Sequence, residues 1–480
     1  MGKITIFDGA EEIGGTKILL EIADKKVFVD FGLNYKRHSK FFEFYLNPRI
    51  SNGIGDIYFL GLVPQFRGLY RDDLLEMLNK EGNFDLGTPD EEPSIDAVFI
   101  SHAHFDHSAY TSFIRGDIPI YFSDVTLTIL KAMEKSGNSS FETAIFDYIR
   151  RGRAEKERGT HLVYSLTSKE IIGDLAVYSY PVDHSVKGAR GFVFSSPEGA
   201  LVYSGDLRLH GKRKNETLHF AEETSRFKPE YLIIEGTNVS ENESSAEFWT
   251  EQRVFDEADR IFKHSEHLVI VDFSIRDIDR FMTFFALAQK YKRKFVITLR
   301  DAYLLNAMKS FDDELPSINH PDLCIYLEKR VSGTYSDSDY NSKWMKELLS
   351  SCPNLNIVKA SDIRNNDKDF VLILRFYDLQ ELIDLRPSYG SVYIHSTSEA
   401  HSEEQEFDQQ RLDNWLRQFN LYPKVHIHAS GHAKEEDIFK IVDIINPKKI
   451  IPVHTEGSER FFSHFGNRVK IFKNRESIDF

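Results

Sequence analysis

Short apolar runs of this chain repeatedly stop at a side chain able to hold a metal ion, and that grammar limits the fold more than any other feature. KKVFVD ends at Asp30, and DAVFISHAHFDH runs into His102. VYSYPVDH ends at His184, ALVYSGD at Asp206, and YLIIEG carries Glu235. Near the carboxyl end, KVHIHASGH leads to His432 and KIIPVH closes on His454. Runs of about 4–8 residues rich in Val, Ile, Phe and Tyr predict strands. Polar residues just beyond strand ends lie along one rim of a sheet or sandwich, where loops converge. A lone His or Asp at a strand end is more often a turn or capping residue. The recurrence predicts a single site built from distant parts of the chain.

A second grammar occupies residues 241–427. HLVIVDFS reads as a strand, IDRFMTFFALAQKYK as a helix, KFVITL as a strand and AYLLNAMKS as a helix. CIYLEK, KWMKELLSS, LNIVKA, VYIHST and the helical QQRLDNWLRQF follow. Such alternation predicts a mostly parallel sheet built from βαβ units. It falls between the polar strand ends at Glu235 and His432. The expected organisation is therefore an α/β domain over 1–240 that is interrupted by a second α/β domain over 241–427 and resumes over 428–480. The stretch Asn34–Pro93, rich in Phe, Tyr, Gly and Pro, fits neither pattern and reads as an elaborated loop or lid near the site.

Composition sets outer limits. Only Cys324 and Cys352 occur among 480 residues, which excludes a disulfide framework or thiolate zinc site and suits a reducing cytoplasm. MGKITIFDGA lacks a basic head followed by a long apolar run, and no stretch approaches the ~18 apolar residues of a membrane span. The net charge of −15 argues against a general polyanion binder. Short basic runs remain as a local track: Arg150, Arg151 and Arg153; Lys212, Arg213 and Lys214; Lys292, Arg293 and Lys294. The plain alternative for each is solvated surface charge.

The sharpest motif is His102-Ala103-His104-Phe105-Asp106-His107. Imidazole nitrogens and carboxylate oxygens suit zinc that keeps a position open for water. His102 and His104, two apart in an extended segment, point the same way, and the following turn swings Asp106 and His107 towards a neighbouring point. One segment can thus serve two ions.

HAHFDH resembles the HxHxDH signature of metallo-β-lactamase-fold hydrolases, and the other strand ends follow in that family's order. The resemblance implies an αββα sandwich. Asp30 in FVDFG would support the metal-binding histidines from behind, and His102, His104 and His184 would hold the first of two zinc ions, with manganese as the alternative metal. Asp106 and His107 would hold the second, Asp206 in YSGDLR would bridge both, and His454 would complete the second set.

Glu235 in LIIEGT, His432 in HASGHA and His454 in PVHTEG resemble motifs A, B and C of the β-CASP subgroup, which includes ribonuclease J, the endonuclease of messenger-RNA 3′-end processing and the DNA-repair nuclease Artemis. A histidine in motif C accompanies the RNA-processing branch, so the resemblance implies RNA as substrate, with a DNA nuclease as the alternative and a non-catalytic RNA-processing subunit as a second. Two metals ~3.5–4 Å apart can share and ionise a water, and the implied reaction is attack of that bridging hydroxide on phosphorus. Asp106 and Asp206 join the catalytic set as metal-holding carboxylates. His432 would contact the scissile phosphate or protonate the leaving oxygen, with Glu235 setting its tautomer. Ser430 and Gly431 are expected at an anion-friendly helix N-terminus, with a plain turn that starts the helix as the alternative, and Arg208 and His210 as further phosphate contacts, with solvated loop residues as the alternative. Endonucleolytic against 5′-exonucleolytic cutting stays open, as does a homo-oligomeric state.

Overall fold

The computed structural model describes residues 2–43, 45–81, 91–137, 140–150, 157–240, 248–352, 354–398 and 403–480. Arg151 and Arg153 of the first basic run lie outside them, as does the expected boundary at residue 241. Two compact units divide the chain. One is built from residues 1–134, 138–246 and 431–480, the other from 247–430 together with 135–137.

Two sheets face each other in the first unit. One runs in the order Glu476–Asp479, Lys3–Asp8, Lys17–Ile22, Lys25–Phe31, Ala97–Phe99, Ile120–Phe122, Val163–Ser165. It is antiparallel up to Lys25–Phe31 and parallel beyond. The other runs Lys449–Val453, Tyr231–Glu235, Gly199–Tyr203, Arg190–Ser196, Leu175–Pro181, Lys169–Ile172.

Side-chain alternation assigns the faces. Phe192, Phe194, Leu201, Tyr203, Ile233 and Ile451 point inward to meet Val27, Val29 and Phe99 of the opposite sheet. Val193, Val202, Leu232, Ile234 and Ile450 point outward, under Phe220 and Ala221 of the helix Lys214–Ser225 and Ile438, Ile441 and Val442 of the helix Glu435–Ile445. Strands covered on both faces are near-continuous apolar runs, as YLII and IIPV are within Tyr231–Glu235 and Lys449–Val453. Phe99 stacks on Tyr121 at 4.9 Å and meets Phe192 and Phe194 edge-on. Burying each such ring contributes roughly 1.5–3 kcal/mol.

The three strands Gly199–Tyr203, Tyr231–Glu235 and Lys449–Val453 are parallel neighbours, with Glu235 opposite Val453. Their carboxyl ends therefore lie on one edge, which positions Asp206, Glu235 and His454 together.

The second unit carries an all-parallel sheet ordered Ile357–Val358, Leu323–Tyr326, Lys294–Thr298, Phe370–Ile373, Val269–Asp272, Val392–His395, Val425–His426. Its helices include Ile278–Lys290 and Leu299–Met308. Thr298 and Asp301 close a reciprocal capping box on the latter, satisfying two donors that the first turn leaves open. The fold is thus α/β, as the two grammars predict: a metallo-β-lactamase sandwich with an inserted α/β domain.

In the Asn34–Pro93 stretch the described residues form short helices, Tyr35–His38, Gly55–Phe59 and Asp72–Glu81. Leu33 N–H donates to the Phe105 carbonyl at 2.9 Å, tying the start of the stretch to the HAHFDH turn. Four described members of the basic runs form local bonds. Arg150 pairs with Asp72, Arg213 donates to the His184 carbonyl, Arg293 to the Ser265 and His267 carbonyls, and Lys294 to Asp322.

His161 gives the first unit an acid-sensitive point. Its Nε2 lies 2.9 Å from the Ile114 carbonyl and its ring beside Tyr148. Burial, followed by the Arg71 cation, holds its pKa down to about 4 from the ordinary 6.5. Below pH 6.5 the unfolded chain takes up this proton and the folded chain resists it, so stability falls as pH drops through that window. Between about pH 7 and pH 5 the loss is ~2 kcal/mol from this group. Urea unfolding of His161→Gln should show a pH dependence flatter by that amount. Equal slopes in both proteins would mean that the ring charges freely in the fold.

Candidate metal centre

The HAHFDH segment leaves the strand Ala97–Phe99 as extended chain and turns at His104 into the short helix Phe105–Ser108. His102 Nε2 and His104 Nδ1 are 3.0 Å apart, and His184 Nε2 is 3.2 Å from the same His104 atom. Nitrogens around one zinc, each ~2.0–2.1 Å from it, are separated by roughly 3.3 Å in a tetrahedron. Three imidazoles converge here at that spacing. His102 Nδ1 lies 2.9 Å from Ser101 Oγ, and His184 Nδ1 lies 2.7 Å from the Gly431 carbonyl. With Nδ1 protonated in each, Nε2 keeps its lone pair inward. Burial, reinforced by neighbouring histidines, holds the pKa of both His102 and His184 far down, so both are neutral and ready to ligate.

A second set overlaps the first. His107 Nε2 lies 3.1 Å from Asp206 Oδ2 and 3.7 Å from Asp106 Oδ2. His454 Nε2 is 3.3 Å from Asp106 Oδ2 and 3.9 Å from Asp206 Oδ2. Asp206 Oδ2 is also 3.6 Å from His102 Nε2 and 4.0 Å from His184 Nε2. One carboxylate oxygen thus faces both groups. Among the described residues, His107 Nε2 and Asp206 Oδ1 are buried without a hydrogen-bond partner. Orphaned polar atoms this deep are costly, and both belong to the converging set. The donors therefore fit metal ions.

Asp30 anchors the set from behind. Fully buried, it accepts from Ser101 N–H at 2.7 Å, Ser101 O–H at 2.8 Å, Tyr203 O–H at 2.6 Å and His107 Nδ1 at 2.7 Å. Asp30 and His454 both hold left-handed backbone, φ 55° and 51°. Such strain costs ~1–3 kcal/mol per residue and persists where the surroundings over-determine it. The four bonds to Asp30 do so, as does His454 N–H donating to the Gly9 carbonyl at 2.6 Å. Gly32 is needed because a Cβ there would overlap the Asp106 carbonyl.

Beside this set His432 Nδ1 lies 3.1 Å from both oxygens of Glu235. Burial opposes charging of His432, but Glu235 and Asp206 outweigh it and push its pKa up to about 9. Glu235 also accepts from Leu207 N–H at 2.9 Å.

Two expectations need correction. The helix after HASGH begins only at Glu435, and its first turn carries Glu435, Glu436 and Asp437. Ser430 and Gly431 therefore precede it as extended loop, and that helix end repels an anion. The Gly431 carbonyl is occupied in holding His184. Arg208 is fully buried with Nε 3.2 Å from Asp183, so its guanidinium supports the loop from within and does not present itself to a phosphate. His210 stays partly exposed.

Thr237, Ser101 and Tyr203 escaped the reading of the chain. Ser101 directly precedes His102, and Thr237 follows Glu235 by two residues, in the turn that leaves the strand. These offsets are the signal that was available.

Sandwich, donor set and inserted parallel domain define a metal-binding hydrolase of the metallo-β-lactamase fold, in its β-CASP subgroup. Residues 79–253 match the beta-lactamase superfamily domain and residues 420–471 the Zn-dependent metallo-hydrolase RNA specificity domain. Within that class the chain resembles ribonuclease J: it is 22% identical to the Pyrococcus abyssi protein of that name, over 97% of this chain and 92% of the relative. The Mycoplasma pneumoniae ribonuclease J is 20% identical over 95% of this chain and 68% of its own length. A crystal structure of a protein of unknown function from Enterococcus faecalis V583 shares the fold, with a TM-score of 0.74 and 22% identity over 99% of both chains.

Proposed function

We propose that this chain is a zinc-dependent phosphodiesterase that hydrolyses RNA. The observation that carries the reading is the meeting of two donor sets at Asp206 beside the Glu235–His432 pair. His102, His104 and His184 would hold one zinc ion, and Asp106, His107 and His454 a second, with Asp206 reaching both. Bound there, a pair of divalent cations supplies a Lewis acid for the phosphate and an ionised water near neutral pH. The chain's own part is orientation and proton control. Asp30 and Ser101 keep the Nδ1 protons of His107 and His102 in place, so that each Nε2 faces inward. His432, charged at neutral pH and held at Nδ1 by Glu235, delivers its Nε2 proton to the departing sugar oxygen. RNA is favoured by the match of residues 420–471 to an RNA specificity domain and by the ribonuclease J relatives. Cys324 and Cys352 are unpaired thiols, which supports a cytoplasmic setting. Among the described residues no helix is long and apolar enough to cross a membrane.

The test uses labelled single-stranded RNA and DNA of one sequence, with 5′-monophosphate, 5′-triphosphate and circular RNA alongside. RNA is expected to be cut, with a chelator abolishing cutting and added zinc restoring it; parallel addition of manganese identifies the competent ion. Cutting of DNA alone, or cutting untouched by the chelator, would overturn the proposal. Circular RNA separates the modes: its cleavage requires an endonuclease, whereas mononucleotides released only from monophosphorylated ends mark a 5′ exonuclease.

A further inference from the structure

One hydroxyl stands between the two halves of the site. Thr237 Oγ1 lies 2.8 Å from Glu235 Oε2, 2.8 Å from His454 Nδ1, 3.1 Å from His432 Nδ1 and 3.3 Å from the His454 carbonyl. A threonine hydroxyl has one proton to give and two lone pairs, so these contacts restrict each other. Glu235, as a carboxylate, only accepts, and Oε2 is the nearer acceptor for the Thr237 proton. The oxygen then accepts from His454 Nδ1. His432 Nδ1 in turn donates to Glu235. Only this assignment satisfies each short contact, and it puts the proton of both histidines on Nδ1. The Nε2 of His454 is left as a lone pair, on the side where it meets Asp106 and Asp206.

We propose that Thr237 is a positioning residue that fixes the tautomer and ring orientation of His454 for metal binding and links that histidine, through Glu235, to His432. The inference rests on the metal-centre reading above, but not on the identity of the substrate. Partners that orient a metal-ligating histidine through its other ring nitrogen contribute ~10–100-fold to metal affinity. Valine has the shape of threonine without the hydroxyl, and serine keeps the hydroxyl without the methyl.

The full-length chain is titrated with zinc against a chromophoric chelator, without RNA, for wild type, Thr237→Val and Thr237→Ser. Thr237→Val should weaken the second zinc equivalent ~10–100-fold and leave the first within about threefold, while Thr237→Ser should bind both within about threefold of wild type. Thermal melting of the metal-free proteins is run alongside, and the three should coincide. The proposal is overturned if valine leaves zinc affinity unchanged, if serine fails to rescue it, or if the loss follows a lowered melting point of the metal-free chain. Since no nucleic acid enters, a wrong substrate assignment would leave this result standing.

Discussion

Asp206→Asn should bind fewer than two zinc ions per chain, with affinity down ~10²–10⁴-fold, and should not cut RNA. Asp206 Oδ2 lies within 4.0 Å of His102, His107, His184 and His454. Burial disfavours its charge, yet His107, His454 and His432 outweigh that and hold its pKa far below the carboxylate range. It is therefore an anion at every pH where the protein works, and the counter-charge of the whole donor set. An amide keeps the shape and removes the charge. Removing one member of a buried charge pair costs ~3–5 kcal/mol, which corresponds to the stated loss in affinity. Elemental analysis after gel filtration and the zinc-induced rise in melting temperature both report it. Two retained zinc ions with an unchanged melting shift would show that Asp206 does not bridge the two donor sets.

His432→Ala should behave in the opposite way towards metal. His432 Nδ1 is engaged by Glu235 at 3.1 Å and the proposed donor sets do not include it, so zinc content should stay near two while cleavage falls ~10²–10⁴-fold, the usual range for removing a general acid. The pH profile is more telling. Glu235 and Asp206 raise the His432 pKa against its burial, so the proton is present below that value and lost above it. Wild-type activity should then fall on the alkaline side as His432 deprotonates. Glu235→Gln removes the largest raising influence and should move this alkaline limb to lower pH. A variant with His432 replaced that keeps its rate, or one that loses zinc, removes His432 from the chemistry.

Legibility followed sequence distance. HAHFDH stood out as a candidate because its four side chains fall within six residues, extended up to His104 and helical from Phe105. The strands were legible for a similar reason: a strand covered on both faces is a near-continuous apolar run, as YLII and IIPV are. The helix Glu435–Ile445 begins later than expected because the apolar face of DIFKIVDII marks its body and not its start; at Lys434, just before it, the chain bridges to Asn238, far back in the sequence. Arg208 was read as a loop cation facing solvent because nothing nearby announces that Asp183 waits inside the fold to receive it.

Local order by itself made legible short strands ending in metal-capable side chains, a hexapeptide that gathers three histidines and an aspartate, and a strand–helix alternation between Glu235 and His432. Tertiary structure alone decided which atoms face which. Asp30 meets His107 across 77 positions, and Thr237 meets His454 across 217. A hydrogen bond depends on ångström separations between groups that chain order leaves unrelated, and parallel pairing of Lys25–Phe31 with Ala97–Phe99 and of Tyr231–Glu235 with Lys449–Val453 brings them into reach.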